Sequence, residues 1–162
     1  MLYLIILLVL LVIGTAFFGA PYVPTRRHDT DKVVRLLRDG DVLVDLGSGD
    51  GRLVRAAAEK GHKAYGVELS PIIAAISWIV IRPVRHLARI RIGNYWHKKL
   101  PDDTTVVFVF LASSYMQKLR GYLEKESRRL GRPIRLISYG FELPGYEPVR
   151  TDKAVMVYDI QP

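Results

Sequence analysis

The 162-residue sequence contains no cysteine. That absence excludes a disulfide framework, a thiolate zinc site and a cysteine nucleophile. Histidine is scarce, with four residues (His28, His62, His86 and His97). No two of them stand at metal-ligand spacing, so no metal site is expected and each reads as a surface residue. Acidic residues are outnumbered, 16 Asp and Glu against 24 Lys and Arg, for a net charge of +8. Such an excess suits nucleic acid, an anionic lipid surface or an acidic protein. The chain lacks an RNP-like aromatic pattern and a compact helix-turn-helix signature, so nucleic acid is not the expected partner. A solvated basic face beside an anionic membrane accounts better for the charge, which is denser from Arg82 to Lys99 and from Lys118 to Arg135. No internal repeat or low-complexity tract occurs beyond the N-terminal segment.

That segment is the one long apolar run. Leu2 to Ala20 carries no charge and consists mostly of Leu, Ile, Val and Phe. As a helix it would extend about 28 Å, close to the roughly 30 Å hydrocarbon core of a bilayer. Pro21 would stop it and Tyr22 suits the interface. A cleaved signal peptide would want a basic start, which is missing, although Gly19 and Ala20 are small enough for a cleavage site. A buried core helix would be apolar along one stripe rather than all round. The expectation is therefore a single transmembrane anchor over residues 1–20 and one catalytic domain over 21–162. Arg26, Arg27, Lys32, Arg35 and Arg38 follow the run and place that domain on the cytoplasmic side of the membrane.

The remainder alternates between strand and helix patterns. Asp29 or Thr30 is expected to cap a helix to about Arg38. Strands are expected at Val42–Leu46, Lys63–Glu68, Ala88–Ile92, Thr105–Leu111 and Ile134–Ser138. Helices are expected at 51–60, closed by Gly61, from Ser70-Pro71 to at least Ile81, and at 114–130, closed by Gly131. Two further strands, at about 147–151 and 154–160, would form a hairpin turning at Asp152-Lys153. The fold class is α/β, a Rossmann-like, doubly wound and mostly parallel sheet with a C-terminal antiparallel hairpin.

The first strand runs into Val44-Asp45-Leu46-Gly47-Ser48-Gly49-Asp50-Gly51-Arg52. Ligands of doubly wound sheets sit at such strand ends, and glycines there permit close approach and positive φ. A dinucleotide loop is G-x-G-x-x-G. Here the third glycine comes one position early, at Gly51, with Arg52 in the place it would need. The spacing suits a ligand without phosphates, with Asp45 offsetting a charged amino group. Glu68, at the end of the second strand, can accept from vicinal ribose hydroxyls. Leu69 and Pro71 can pack on an adenine face. After the third strand, Asn94 can accept from an adenine amino group, and the main chain at Tyr95 can reach a ring nitrogen. Tyr95 and Trp96 could equally be core aromatics.

The motifs VDLGSGDGRLV, GVELSP and GNYW resemble those of the class I S-adenosylmethionine (SAM)-dependent methyltransferases. More narrowly, the chain is similar to the small seven-strand protein lysine methyltransferases. These include archaeal enzymes of broad specificity and the mitochondrial enzymes acting on the ATP synthase c-subunit and the adenine nucleotide translocase. The narrower likeness rests on Pro21-Tyr22-Val23-Pro24-Thr25, on Ser138 to Tyr146 and on Val155 to Tyr158. It implies SAM as cofactor, held by Asp45, Gly47, Ser48, Gly49, Gly51, Glu68, Leu69, Asn94 and Tyr95. Pro24 and Thr25 would join that set by closing over the cofactor. Phe110, Leu111 and Ala112 follow the fourth strand, where such enzymes face their substrate. Leu111-Ala112-Ser113-Ser114 departs from the Asn/Asp-Pro-Pro-aromatic box of nucleic-acid amino-methylating enzymes. Gly140 stands where an acid is expected in the archaeal enzymes.

The resemblance makes Phe141, Glu142 and Tyr22 the catalytic candidates. Phe141 and Tyr22 would line a lysine channel and Glu142 would orient the amine. Deprotonating a lysine costs about 4.6 kcal/mol at pH 7, and an apolar pocket lowers that cost. The expected acceptors are lysine side chains of proteins, membrane proteins above all. Methylation of a quinone or lipid headgroup, and a non-catalytic SAM-binding module, are the competing readings.

Overall fold

The computed structural model describes residues 27–162. The segment 1–20, together with Tyr22, Pro24 and Thr25, lies outside the described residues. No helix among the described residues is long and apolar enough to cross a membrane.

Seven strands form one sheet: β1 (Val42–Leu46), β2 (Lys63–Glu68), β3 (Ala88–Ile92), β4 (Val106–Val109), β5 (Ile134–Tyr139), β6 (Arg150–Asp152) and β7 (Val155–Ile160). Their order is β3-β2-β1-β4-β5-β7-β6. β1 to β5 pair in parallel, and β7 runs antiparallel to both β5 and β6. The expected C-terminal hairpin is therefore present. Its turn falls one residue later than expected, with Lys153 in the left-handed region at φ 55°. β1 and β4 are buried along their whole length, as central parallel strands covered on both faces must be.

Among the described residues, four α-helices cover the sheet: α1 (Arg27–Arg35), α2 (Arg52–Glu59), α3 (Pro71–Val80) and α4 (Met116–Leu130). One core cluster joins Val33, Leu53, Val54 and Ala74 to Leu43, Val106 and Phe108. The other joins Leu119 and Leu123 to Val44, Val107, Leu136 and Tyr158. The two clusters occupy opposite faces of the sheet, with α1, α2 and α3 on one and α4 on the other. α3 begins as expected, with Ser70 as cap accepting from Ile73 N–H and proline in the first turn. Pro83 does not extend it, and a short 3-10 turn (Arg82–Val84) follows.

Two expectations are corrected. Asp29 and Thr30 lie within α1 rather than capping it. Thr30 is buried, so burial overrides local capping chemistry there. The fourth strand ends at Val109 rather than Leu111. Its apolar run continues because Phe110 and Leu111 pack as loop residues, Phe110 half-buried and Leu111 buried.

Candidate active site

The chain runs outward from β1 to β3, then crosses back to β4. The switch point thus falls between the carboxyl ends of β1 and β4, where an open α/β sheet leaves a crevice. Gly47 to Gly51 follow β1 on one side of it and Phe110 to Ala112 follow β4 on the other.

The glycine loop is held by its own main chain. Gly47 and Ser48 N–H both donate to Val67 O, at 2.9 and 3.1 Å, and Gly51 N–H donates to Ser48 O at 2.9 Å. Gly47, Gly49 and Gly51 have φ of 89°, 55° and 78°. An L-residue at those angles is strained, which explains three glycines in five positions. Glu68 is buried and spans the loop: Oε2 accepts from Gly49 N–H at 2.9 Å and Oε1 from Ser70 N–H at 2.8 Å. Each carboxylate oxygen keeps a further lone pair, as acceptance from a vicinal diol requires. Gly93 N–H donates to Glu68 O at 2.8 Å and ties the loop after β3 to the same point.

Asp45 sits level with Gly66 of β2 and Phe108 of β4. It is 4 % exposed, and its carboxyl, unlike its main chain, makes no hydrogen bond among the described residues. Its pKa is pushed up to about 8, first by burial and then by the negative charges of Glu68 and Asp50. A buried carboxyl in that state is mostly neutral near pH 7, and a cation placed beside it would favour its ionised form. Asp50 cannot serve as one and is itself held by Arg52, whose guanidinium bonds it at 2.5 and 3.0 Å. The Ser48 hydroxyl, in the same cradle, is buried without a partner.

Asn94 is exposed after β3 and has a local role as well. Its side-chain oxygen caps a short turn (Tyr95–His97) by accepting from Trp96 N–H at 3.1 Å. The Tyr95 ring packs 4.6 Å from Trp96 and borders the cluster beneath α4. Both rings are thus core aromatics in part. Leu69 is half-buried and Pro71 exposed at the start of α3, beside Glu68.

On the opposite side, Phe110 meets Tyr139 edge-on at 5.1 Å between centroids. Ser138 Oγ donates to Phe141 O at 2.7 Å and fixes the bend after β5. Phe141 and Glu142 are exposed, while Leu143 is buried with its N–H donating to Tyr158 Oη at 3.1 Å. Phe110, Tyr139 and the Phe141 bend therefore share one end of the sheet. Gly140 has φ 91°, and a Cβ there would lie 3.6 Å from the Phe110 ring. That conformation favours glycine at the position where the resemblance leads one to expect an acid.

Sequence reasoning misses two supports. Ser77 Oγ donates to Gly49 O from within α3 and also lies 3.2 Å from Ile73 O. A lone serine in Pro71-Ile-Ile-Ala-Ala-Ile-Ser-Trp-Ile-Val80 is the available signal. Gly66 lies inside β2 because a Cβ would come 2.5 Å from Ser48 Oγ and 2.5 Å from Ile90 Cδ1. A glycine in a strand interior often marks such an approach.

The features together define the cofactor end of a doubly wound domain of the methyltransferase type: a buried carboxyl without a partner, a second carboxylate with free lone pairs and a glycine loop between them. The residues present fit SAM. Known proteins narrow the class. The profile of the ANTKMT methyltransferase domain matches residues 45–150, and the chain belongs to that family. It is 36 % identical over 138 residues to a protein-lysine N-methyltransferase of Saccharolobus islandicus, covering 79 % of this chain and 81 % of that one. It is 35 % identical over 133 residues to the ATP synthase c-subunit lysine N-methyltransferase of Homo sapiens, covering 79 % of this chain. The chain spans only about half of that human relative, 54 % of its length. A crystal structure described as an RNA methyltransferase from Salinibacter ruber with S-adenosyl-L-homocysteine superposes at TM-score 0.77 with 29 % identity. It covers 86 % of this chain and 94 % of that one. The protein is a SAM-dependent methyltransferase.

Proposed function

We propose that the protein transfers methyl groups from SAM to lysine side chains of proteins, and that it does so at a membrane through an N-terminal anchor. The observation that carries the acceptor class is the likeness to the archaeal protein-lysine enzyme along most of both chains. SAM supplies a methyl group on a sulfonium, and its displacement by an amine requires mainly alignment.

The chain's own residues divide that work. Asp45, Gly47, Ser48, Gly49, Gly51, Glu68, Leu69, Asn94 and the main chain at Tyr95 hold the cofactor. Pro24 and Thr25 close over it. Phe110, Leu111 and Ala112 bound the acceptor side. Phe141 and Tyr22 line the lysine entrance with apolar surface, which favours the neutral amine. Glu142 orients that amine, and its proton leaves to bulk water.

The anchor is residues 1–20, with the catalytic domain on the cytoplasmic side, as the charges after the apolar run favour. Such an arrangement makes lysines in juxtamembrane loops the natural acceptors.

A second acceptor class is favoured by one observation, the description of the Salinibacter ruber structure as an RNA methyltransferase. Against it stands Leu111-Ala112-Ser113-Ser114 after β4, which offers no Asn/Asp-Pro-Pro-aromatic box for a base amine.

The test is methyl transfer from labelled SAM by the full chain into a host membrane fraction, divided into protein, lipid and RNA. Label in protein, mapped to lysine by mass spectrometry, is the expected result. Label confined to RNA or lipid extract would overturn the lysine assignment.

A further inference from the structure

The surface around α3 is unlike the rest of the molecule. Residues 69–101 contain no acidic residue but hold Arg82, Arg85, Arg89, Arg91, Lys98 and Lys99. That stretch carries six positive charges, against a net charge of +8 for the whole chain. Within it, α3 covers the sheet with Ala74 and Ser77 and turns large apolar side chains outward. Ile76, Trp78 and Ile79 are 48 %, 49 % and 74 % exposed. They account for three of the six large hydrophobic residues exposed among the described residues. Among the described residues, nothing packs over this face.

The face continues directly into charge. Ile76, Ile79 and Arg82 follow one another at helical spacing, and Arg82 and Arg85 are exposed in the turn that ends the helix. Trp78 Nε1 donates to Ile90 O at 3.2 Å, which fastens the helix to edge strand β3 between Arg89 and Arg91, both exposed. None of these four arginines makes an ion pair among the described residues. An apolar strip with an amphipathic tryptophan and an unpaired arginine border matches the acyl–headgroup boundary of an anionic bilayer. An RNA backbone would be served by the arginines but not by the exposed isoleucines.

We infer that α3 and the arginines beside it form a docking face for an anionic lipid surface, with Ile76, Trp78 and Ile79 entering the interface and Arg82 and Arg85 reaching the headgroups. The inference goes beyond the proposed function, since it concerns a second membrane contact and holds for any methyl acceptor. The face is also tied to the site. α3 starts at Ser70, whose N–H is bound to Glu68, and holds Gly49 through Ser77. A docked α3 would therefore keep the cofactor loop at a set height above the bilayer.

The absence of cysteine makes the test direct. The full chain with Ile79→Cys, labelled with an environment-sensitive fluorophore, is reconstituted in phosphatidylcholine vesicles with or without phosphatidylglycerol. Lys125→Cys, exposed on α4 across the sheet, is the control. The label at position 79 should shift to the blue and be quenched by lipid-borne quencher in anionic vesicles only. The label at 125 should not respond. Arg82→Gln with Arg85→Gln should lower the docked-to-undocked ratio roughly thirtyfold, about fivefold for each basic residue near an anionic surface. Co-flotation in high salt separates this from the anchor: with a spanning anchor the chain stays with the vesicles while the label undocks. Equal signals at 79 and 125, or no effect of the arginine variant, would overturn the docking face. A response at 79 to protein concentration or to RNA in lipid-free micelles would assign it to a second copy or to nucleic acid, and would overturn it too.

Discussion

Asp45 offers a measurement that tests the reading of the cofactor site without any acceptor. Its pKa of about 8 in the ligand-free protein means that the carboxyl is mostly protonated at neutral pH. A cationic amino group can bind well only to the carboxylate, so binding must expel the proton. At pH 7, about one unit below that pKa, roughly nine-tenths of a proton is released per ligand bound, and apparent affinity is about tenfold below its plateau. At pH 6 the deficit is about a hundredfold. Affinity should therefore rise nearly tenfold per unit up to pH 8 and then level. The ligand's own amino group, losing charge in the same region, would bend the curve down above it. Calorimetry of S-adenosyl-L-homocysteine binding at pH 7, in two buffers of different ionisation enthalpy, counts the protons directly. Asp45→Asn should bind more weakly and release none. A wild-type release near zero, with affinity flat from pH 6 to 8, would refute the argument. The same group fixes a stability trend. A folded pKa raised above the unfolded 3.8 lets the unfolded chain give up its proton first. Stability is lost as pH rises from about 4 to 8, by an amount of order 5 kcal/mol if the whole shift is expressed. Asp45→Asn should thus raise the melting temperature of the ligand-free protein above pH 7 by several degrees while costing it the cofactor.

Gly66→Ala should destabilise the fold by about 1–3 kcal/mol and weaken cofactor binding as well, because the new Cβ meets Ser48 of the loop at 2.5 Å; chemical denaturation with a parallel binding titration reads both. Ser77→Ala removes the donor to Gly49 O, for about 1 kcal/mol of stability and a loss of SAM affinity that a loop-independent serine would not show. Glu142→Ala, at an exposed position, should leave the melting temperature and SAM affinity near wild type and lower turnover on a lysine acceptor; equal loss of turnover and SAM affinity would end its orienting role.

The legibility of this chain in its sequence varies with what each residue has to satisfy. β1, β2 and β3 begin and end where the apolar runs and their bounding turn residues place them. There, local pattern and tertiary burial make the same demand. At β4 they part: Val106 to Leu111 is apolar throughout, but only the first four residues pair, and Phe110 and Leu111 leave the ladder to shape the crevice. Asn94 reads in the sequence as a ligand acceptor; the turn that its oxygen closes is not legible there, although such a local bond is always open to an Asn side chain. The positions of Asp45 and Glu68, buried at strand ends beside the glycines, are legible because strand pattern and turn residues fix them. Ser77 and Gly66 escape because their partners, Gly49 and Ser48, are distant in sequence, and single-sequence patterns carry no such pairing.

The short connections of the fold bear on what the site can accept. Between β3 and β4 no α-helix covers the sheet; residues 94–104 cross it as a loop. α4 fastens that loop: Glu126, 2 % exposed, accepts from Leu100 N–H at 2.8 Å, and Arg129 binds Leu100 O, Asp102 and Glu126 at 2.6, 2.6 and 2.8 Å. A buried carboxylate is tolerable here because the guanidinium and an amide satisfy it together. Leu100 then fills the space a helix would otherwise cover. From β5 to β6 the chain likewise returns without a helix, and Phe141 and Glu142 stand exposed at the bend. Among the described residues, both connections thus use their residues to close the core and leave little to arch over the strand ends where Phe110 and Tyr139 meet. A small lipophilic acceptor needs its transition state enclosed by such a cover. A lysine borne on a protein brings its own surface to complete the enclosure, and an exposed Phe141 is placed for that contact. Within the described residues, the helix-free connections therefore favour a macromolecular acceptor on grounds that do not depend on any relative.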